Sequence, residues 1–214
     1  MNNFFGVNVK LSNDFFDRDA AEVAKALLGK VICHYTGGEW RRARIIETEA
    51  YYIHEKGSHA SLGLTESRQA LFMPAGTIYM YYARGGDSFN ISCKGEGNAV
   101  LIKSGFAAED NSPEVLKTMQ EANPIIDKKT GKSRPRPLDR LCSGQTLLCK
   151  AMGLKVTDWR GKTFTDDLYI ENISYEPANI TVGKRLGIPK GRDEDLLLRF
   201  IDAAYIKSTT NGRA

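Results

Sequence analysis

The sequence predicts an α+β fold: a curved, largely antiparallel sheet, partly open and barrel-like, surrounded by helices. Three observations predict it. Strand-like segments follow one another across tight turns at Gly37-Gly38, Arg84-Gly85-Gly86 and Lys94-Gly95-Glu96-Gly97, and such short turns join antiparallel neighbours. Capped helical patterns interrupt these segments instead of alternating with each of them. The 214 residues, 42 % hydrophobic and 26 % charged, suffice for a core without disulfide staples. Residues 1–214 read as a single domain.

The elements follow in order. Asp17 reads as an N-cap; Ala20, Val23, Ala24, Leu27 and Leu28 then recur at helical spacing until Gly29. Residues 30–36 and 40–51 form a hairpin about Gly37-Gly38. Residues 53–70 lack strong periodicity and read as a polar loop with a short helical turn. Strands at 77–83, 87–93 and 98–104 follow. Ser112-Pro113 opens a helix that ends near Asn123-Pro124, because the residue before proline resists the α conformation. Residues 138–152 read as a helix with Leu141, Leu147, Leu148 and Met152 inward and Gly153 as its cap. Residues 168–171 and 179–184 are strands, and 193–200 is a short helix or a closing strand.

Composition excludes several classes. Apolar runs such as Ala99–Ile102 fall far short of the roughly 20 residues a membrane span needs. The start, MNNFFGVNVK, has no secretory pattern, so the expected compartment is the cytoplasm. Cys33, Cys93, Cys142 and Cys149 are scattered without a CxxC, which favours reduced, buried thiols. His54 and His59 are five apart and share no helix face, so no metal is expected. The formal charge is +4, but it is clustered: in residues 128–140, in residues 184–192, and at Arg41, Arg42 and Arg44. Each cluster is either a solvated loop or part of a surface that meets a polyanion.

The chemistry concentrates at the end of the long strand. A strand period of two puts Glu47, Glu49 and Tyr51 on one face, with Ile45 before them. They are a solvated strand end, or a face that passes from core into a cleft, where desolvation makes a carboxylate a better base. Tyr79 and Tyr81 share a face, with Met80 and Tyr82 on the other; either could be ordinary half-buried sheet or a slot for a flat ligand. Asn90 lies mid-strand, where asparagine is disfavoured unless it has a partner. A base-binding slot unites these features. Extruding a nucleobase costs a few kcal/mol, stacking returns about 1–3 kcal/mol, and basic patches hold phosphates.

The blocks RIIETEAY (44–51), FMPAGTIYMY (72–81), FNIS (89–92), AVLIK (99–103) and LCSGQTLLCKAMGL (141–154) resemble the alkyladenine type of 3-methyladenine DNA glycosylase, in order, from about Phe15 to Ile188. The resemblance implies a monofunctional base-excision enzyme without metal or organic cofactor, acting as a monomer on double-stranded DNA that carries damaged purines. By matching position, Glu49 activates water against the sugar C1′. Tyr51, His59 and Tyr81 sandwich the everted base, Asn90 stands where guanine's exocyclic amino group is disfavoured, and Leu71 and Phe72 support the wall.

The chain departs from the family in two places. A hairpin tyrosine usually fills the gap left by the base; here the tip reads Ala83-Arg84-Gly85-Gly86-Asp87 and is one residue shorter, leaving Tyr82 or Arg84 as the wedge, with Arg84 preferred because a guanidinium is flat enough to stack. Lys103 stands where an arginine usually flanks the catalytic water, keeping charge but losing the bidentate fork. Lys128, Lys129, Arg134 and Arg136 are the expected phosphate contacts. The rival readings are a non-catalytic damaged-DNA binder of the same fold and a small-molecule hydrolase that uses the Glu47/Glu49 face.

Overall fold

The computed structural model describes residues 9–83 and 85–212; Arg84, one of the two wedge candidates, lies outside the described residues. The strands are β1 (Val9–Lys10), β2 (Val31–Thr36), β3 (Glu39–Tyr51), β4 (Ile78–Ala83), β5 (Gly86–Ser92), β6 (Ala99–Phe106), β7 (Ile125–Ile126), β8 (Ser133–Arg134), β9 (Leu168–Asn172), β10 (Ile180–Gly183) and β11 (Arg199–Asp202). The helices are α1 (Ala20–Leu27), α2 (Pro113–Ala122), α3 (Gln145–Met152) and α4 (Val156–Trp159). Short 3₁₀ segments cover 59–62 and 66–72.

The architecture is α+β. The main sheet runs β1-β9-β2-β3-β6-β5-β4, with β10 and β11 attached to the side of β3. Every pairing is antiparallel, and the sheet stays open between its edges β1 and β4. Apolar residues of α1, α3 and the sheet form one main core that includes Val23, Leu27, Ile32, Met80, Phe89, Ile102 and Leu148. A fully buried side chain of this size contributes about 1.5–3 kcal/mol. A smaller cluster of Ala60, Ala70, Leu71, Tyr79 and Ala99 lies apart from it, with Phe72 and Tyr81 packed on its margin.

Strand β3 positions the site. One edge pairs with β2 along residues 39–44 and then with β11 along 47–49, while the other edge pairs with β6. Residues 47–49 are thus enclosed on both edges, which explains why Glu47 and Glu49 are fully buried. The β3–β6 register skips Ile46 on one strand and Lys103 on the other. Such bulges break the alternation of side chains. Ile45 therefore joins Ala43 and Ala50 in the main core and does not share a face with Glu47, as strict alternation would require. The Lys103 bulge lets Lys103 reach Glu49 while its neighbour Ser104 reaches Glu47.

Other local expectations also shift. The cap of α1 is Asp19, which accepts from the Ala21 and Glu22 amides, and not Asp17. The helix expected from residue 138 begins only at Gln145. Gly144 has φ +104°, and its N–H donates to the Ser104 hydroxyl at 2.9 Å, so the chain is held out of helical conformation just before α3. Of the two readings of 193–200, the closing strand holds, displaced to 199–202. The four cysteines are free and buried. No helix among the described residues is long and apolar enough to cross a membrane.

Candidate active site

A cavity of about 630 Å³ opens between the β4–β5–β6 face, the 57–62 segment, the start of α3 and the 186–192 loop. That volume suits a small-molecule ligand or an everted nucleoside. Tyr51, His59, Leu71, Tyr81, Tyr82, Asn90 and Lys103 all line it. Phe72 packs behind them, beside Leu71 and Tyr79.

The aromatic residues form a ring cluster. Tyr79 and Tyr81 stack at 5.5 Å between centroids, and His59 meets Tyr81 edge-on at 4.3 Å. His59 Nδ1 and the Tyr79 hydroxyl are 2.9 Å apart. Burial, with the Tyr81 charge second, pushes the Tyr79 phenol up. Burial first, then the charges of Arg68 and Arg192, pulls His59 below the usual histidine range. The imidazole is therefore neutral near pH 7. Asn90 sits in the floor; its amide donates to the Tyr79 carbonyl at 3.0 Å and to Ser88 Oγ at 3.4 Å. Tyr82 is 70 % exposed at the rim.

Glu49 stands behind the wall. Its Oε2 accepts from the Tyr51 hydroxyl at 2.7 Å and from Lys103 Nζ at 3.3 Å. Its Oε1 accepts from the Leu186 N–H at 2.9 Å. All three donor residues line the cavity, so the carboxylate is oriented one layer behind the open space. The Tyr51 phenol is raised well above its ordinary value, by burial first and by the Glu49 charge second, so it stays a proton donor. Glu47 is different. It accepts from Arg199 Nε at 2.7 Å, from the Thr210 N–H at 3.0 Å, from Thr210 Oγ1 at 2.9 Å and from Ser104 Oγ. It ties β3, β6 and β11 to the C-terminal turn and is committed to structure.

The basic clusters divide as well. Arg41 is bonded to Glu39 and the Ala151 carbonyl, Arg42 to Glu171, and Arg44 to Glu109, Asp110 and Tyr205. Each of these guanidinium groups is thus paired with an acid of the chain itself, and only Arg42 keeps about a third of its side chain exposed. In 184–192, Lys184 pairs with Asp195, Arg185 with Glu55, and Arg192 with the Lys56 carbonyl. Lys128, Lys129 and Arg134 are exposed on the β7–β8 hairpin, apart from the cavity lining. Arg136 is half-buried and bonded to the Asn123 and Pro124 carbonyls, where it braces the base of that hairpin.

Sequence reasoning missed Leu186 as a donor, Arg185 and Glu55 beneath Tyr51, and the stretch Ser143–Leu147 at the cavity mouth. The Leu186 contribution is a backbone N–H, which leaves no trace in side-chain identity.

The arrangement is a cavity bordered by stacked aromatic side chains, with a fixed, buried carboxylate directly behind its wall. Residues 14–205 match the family model described as methylpurine-DNA glycosylase. A protein of Pseudomonas aeruginosa (strain UCBPP-PA14) is 57 % identical over 198 residues, covering 91 % of this chain and 81 % of its own length. One of Pseudomonas fluorescens (strain Pf0-1) is 54 % identical over 203 residues, covering 94 % and 87 %. One of Clostridium acetobutylicum is 35 % identical over 209 residues, covering 93 % and 95 %. All three carry the provisional name 3-methyladenine DNA glycosylase. The class is DNA glycosylase, a hydrolase of N-glycosyl bonds. The chain belongs to the methylpurine-DNA glycosylase family.

Proposed function

We propose that this chain is a monofunctional DNA glycosylase of base excision repair, working as a single domain and as a monomer. It everts an alkylated or deaminated purine from duplex DNA and hydrolyses the N-glycosidic bond, leaving an abasic site. One observation carries the reading: Glu49 is held by Tyr51, Lys103 and the Leu186 amide, all three in the wall of an aromatic cavity.

The chemistry follows from that geometry. The everted purine lies among Tyr51, His59 and Tyr81, with Leu71 and Phe72 behind and Asn90 at its edge. A cationic alkylpurine is attracted to ring faces, and a neutral His59 adds no opposing charge. Glu49 takes a proton from water as the oxygen bonds to C1′; the glycosidic electron pair leaves with the base. The carboxylate also stabilises the developing oxocarbenium charge. Lys103 fixes one carboxylate oxygen as a point charge without a planar fork. Tyr82, exposed at the rim, fills the vacated stack, and the hairpin cations Lys128, Lys129 and Arg134 meet phosphates, with Arg136 bracing them.

The test is single-turnover base release from methylated duplex DNA. The expected result is release by the wild type, and a loss of about 10²-fold or more in Glu49→Gln with DNA affinity retained. Equal release by that variant removes Glu49 from the mechanism. Tight binding to abasic or methylated DNA with no release at any pH establishes a non-catalytic damage binder instead.

A further inference from the structure

We infer that Arg185 is the positioning residue of the Glu49 site, acting through both Tyr51 and the Leu186 amide; this rests on the glycosylase reading above. The Arg185 side chain is fully buried. Its Nη1 donates to the Ala50 carbonyl at 2.9 Å and is paired with Glu55, itself buried. Its guanidinium carbon lies 4.5 Å from the centroid of the Tyr51 ring. Its Nε and Nη2 find no hydrogen-bond acceptor among the described residues. The cation is thus secured by one carboxylate, one carbonyl and an aromatic face.

Those contacts reach Glu49 by two routes. Tyr51, under the guanidinium, donates to Oε2. Leu186, the next residue in the chain, donates its N–H to Oε1. Two of the three groups that orient the carboxylate are therefore fixed by one side chain. Glu55 supplies the counter-charge and links the 55–59 segment to the 185–192 loop. A second tie runs beside it: the Lys56 N–H donates to Asp193 at 2.7 Å, and Arg192 Nε donates to the Lys56 carbonyl at 2.8 Å. Arg185 touches neither the cavity nor, in this reading, the substrate. It sets where the base stands, and a displacement of about 1 Å in such a group can cost about 10² in rate.

The test compares Arg185→Met, Arg185→Lys and Glu55→Gln in the full chain, below the unfolding temperature of each variant. Two quantities are read: the single-turnover release rate on methylated duplex, and affinity for a duplex that carries a non-cleavable abasic analogue. Arg185→Met is expected to lose at least about ten-fold in release rate with affinity within about two-fold of wild type. Arg185→Lys regains part of the rate, because an ammonium still lies over the Tyr51 ring, and Glu55→Gln falls between. A wild-type rate in Arg185→Met overturns the inference. So do equal losses of rate and affinity, which mark a purely structural role. Where Arg185→Met does not fold, Arg185→Lys and Glu55→Gln carry the same criterion: wild-type rates in both overturn it. No release by the wild type would instead mark failure of the glycosylase reading, and full release by Glu49→Gln would remove the carboxylate that Arg185 is inferred to position.

Discussion

Glu47 and Glu49 sit two residues apart, both fully buried, and their substitution should have opposite consequences. Glu47→Ala removes four acceptor contacts and leaves Arg199, only 2 % exposed, without the carboxylate it is bonded to. Breaking a buried ion pair by removing one partner costs about 3–5 kcal/mol. For a chain of this size each kcal/mol moves Tm by about 2–4 °C, so the expected loss is about 6–20 °C. Glu49→Gln keeps the shape and the acceptor of the Leu186 N–H, while Lys103 borders the cavity and can be hydrated there. Its Tm should stay within about 4 °C of wild type. Scanning calorimetry on both variants makes the comparison, with Glu47→Ala/Arg199→Met as the third corner. That double variant should recover part of the loss, since the buried guanidinium that had lost its Glu47 carboxylate is gone as well. A Tm for Glu47→Ala within about 2 °C of wild type would refute the division of labour between the two carboxylates.

Two further perturbations follow. A Cβ at Gly57 would lie 2.8 Å from the Arg192 carbonyl oxygen and 3.1 Å from Ile188 Cγ2. Gly57→Ala should therefore wedge the two loops apart and slow base release more than it weakens DNA binding, as read by single-turnover rate against affinity. On the β7–β8 hairpin, reversing Lys128, Lys129 and Arg134 to Glu should flatten the dependence of log K on log salt by about 0.9 for each phosphate that the hairpin no longer neutralises. An unchanged slope, measured by fluorescence anisotropy, would remove the hairpin from the DNA interface.

The strands were readable because glycine turns and apolar alternation are local signals. The β2–β3 and β4–β5 hairpins stand within a residue or two of where sequence places them. The early start assigned to α3 failed for a non-local reason: Ser104, forty residues away, captures the Gly144 N–H and holds the chain out of the helix. The common face of Glu47 and Glu49 was readable from strand period, but the side taken by Ile45 was not. The bulge at Ile46 is a property of the pairing with β6, invisible in β3 alone. Charge clustering misled at Arg41, Arg42 and Arg44, because their acids lie at 39, 109–110 and 171 and meet them only in the folded chain. The same blindness hid Arg185 among its neighbouring cations.

On the function proposed above, the electrostatics of the cavity predict which lesions should leave. Among the described residues that line it there is no aspartate or glutamate, and its one histidine is held below the usual histidine range by burial first, then by Arg68 and Arg192. Tyr79, which faces the imidazole together with Tyr81, stays a protonated phenol at neutral pH. The site therefore offers a departing base little general-acid help, which elsewhere is worth about 10²–10⁴-fold. A purine already cationic through alkylation does not need that help; hypoxanthine, being neutral, does. At pH 7.5 an alkylated cationic purine should be released at least about 10²-fold faster than hypoxanthine from the same duplex. A group whose pKa is lowered binds its proton only in more acidic solution, so hypoxanthine release should rise only as pH falls below about 6.5. That rise should vanish in His59→Gln. Single-turnover rates for both lesions between about pH 5 and pH 8 supply the measurement. Equal release of the two bases at neutral pH, or a hypoxanthine profile unaltered by His59→Gln, would show that a proton reaches the leaving base from somewhere other than this imidazole.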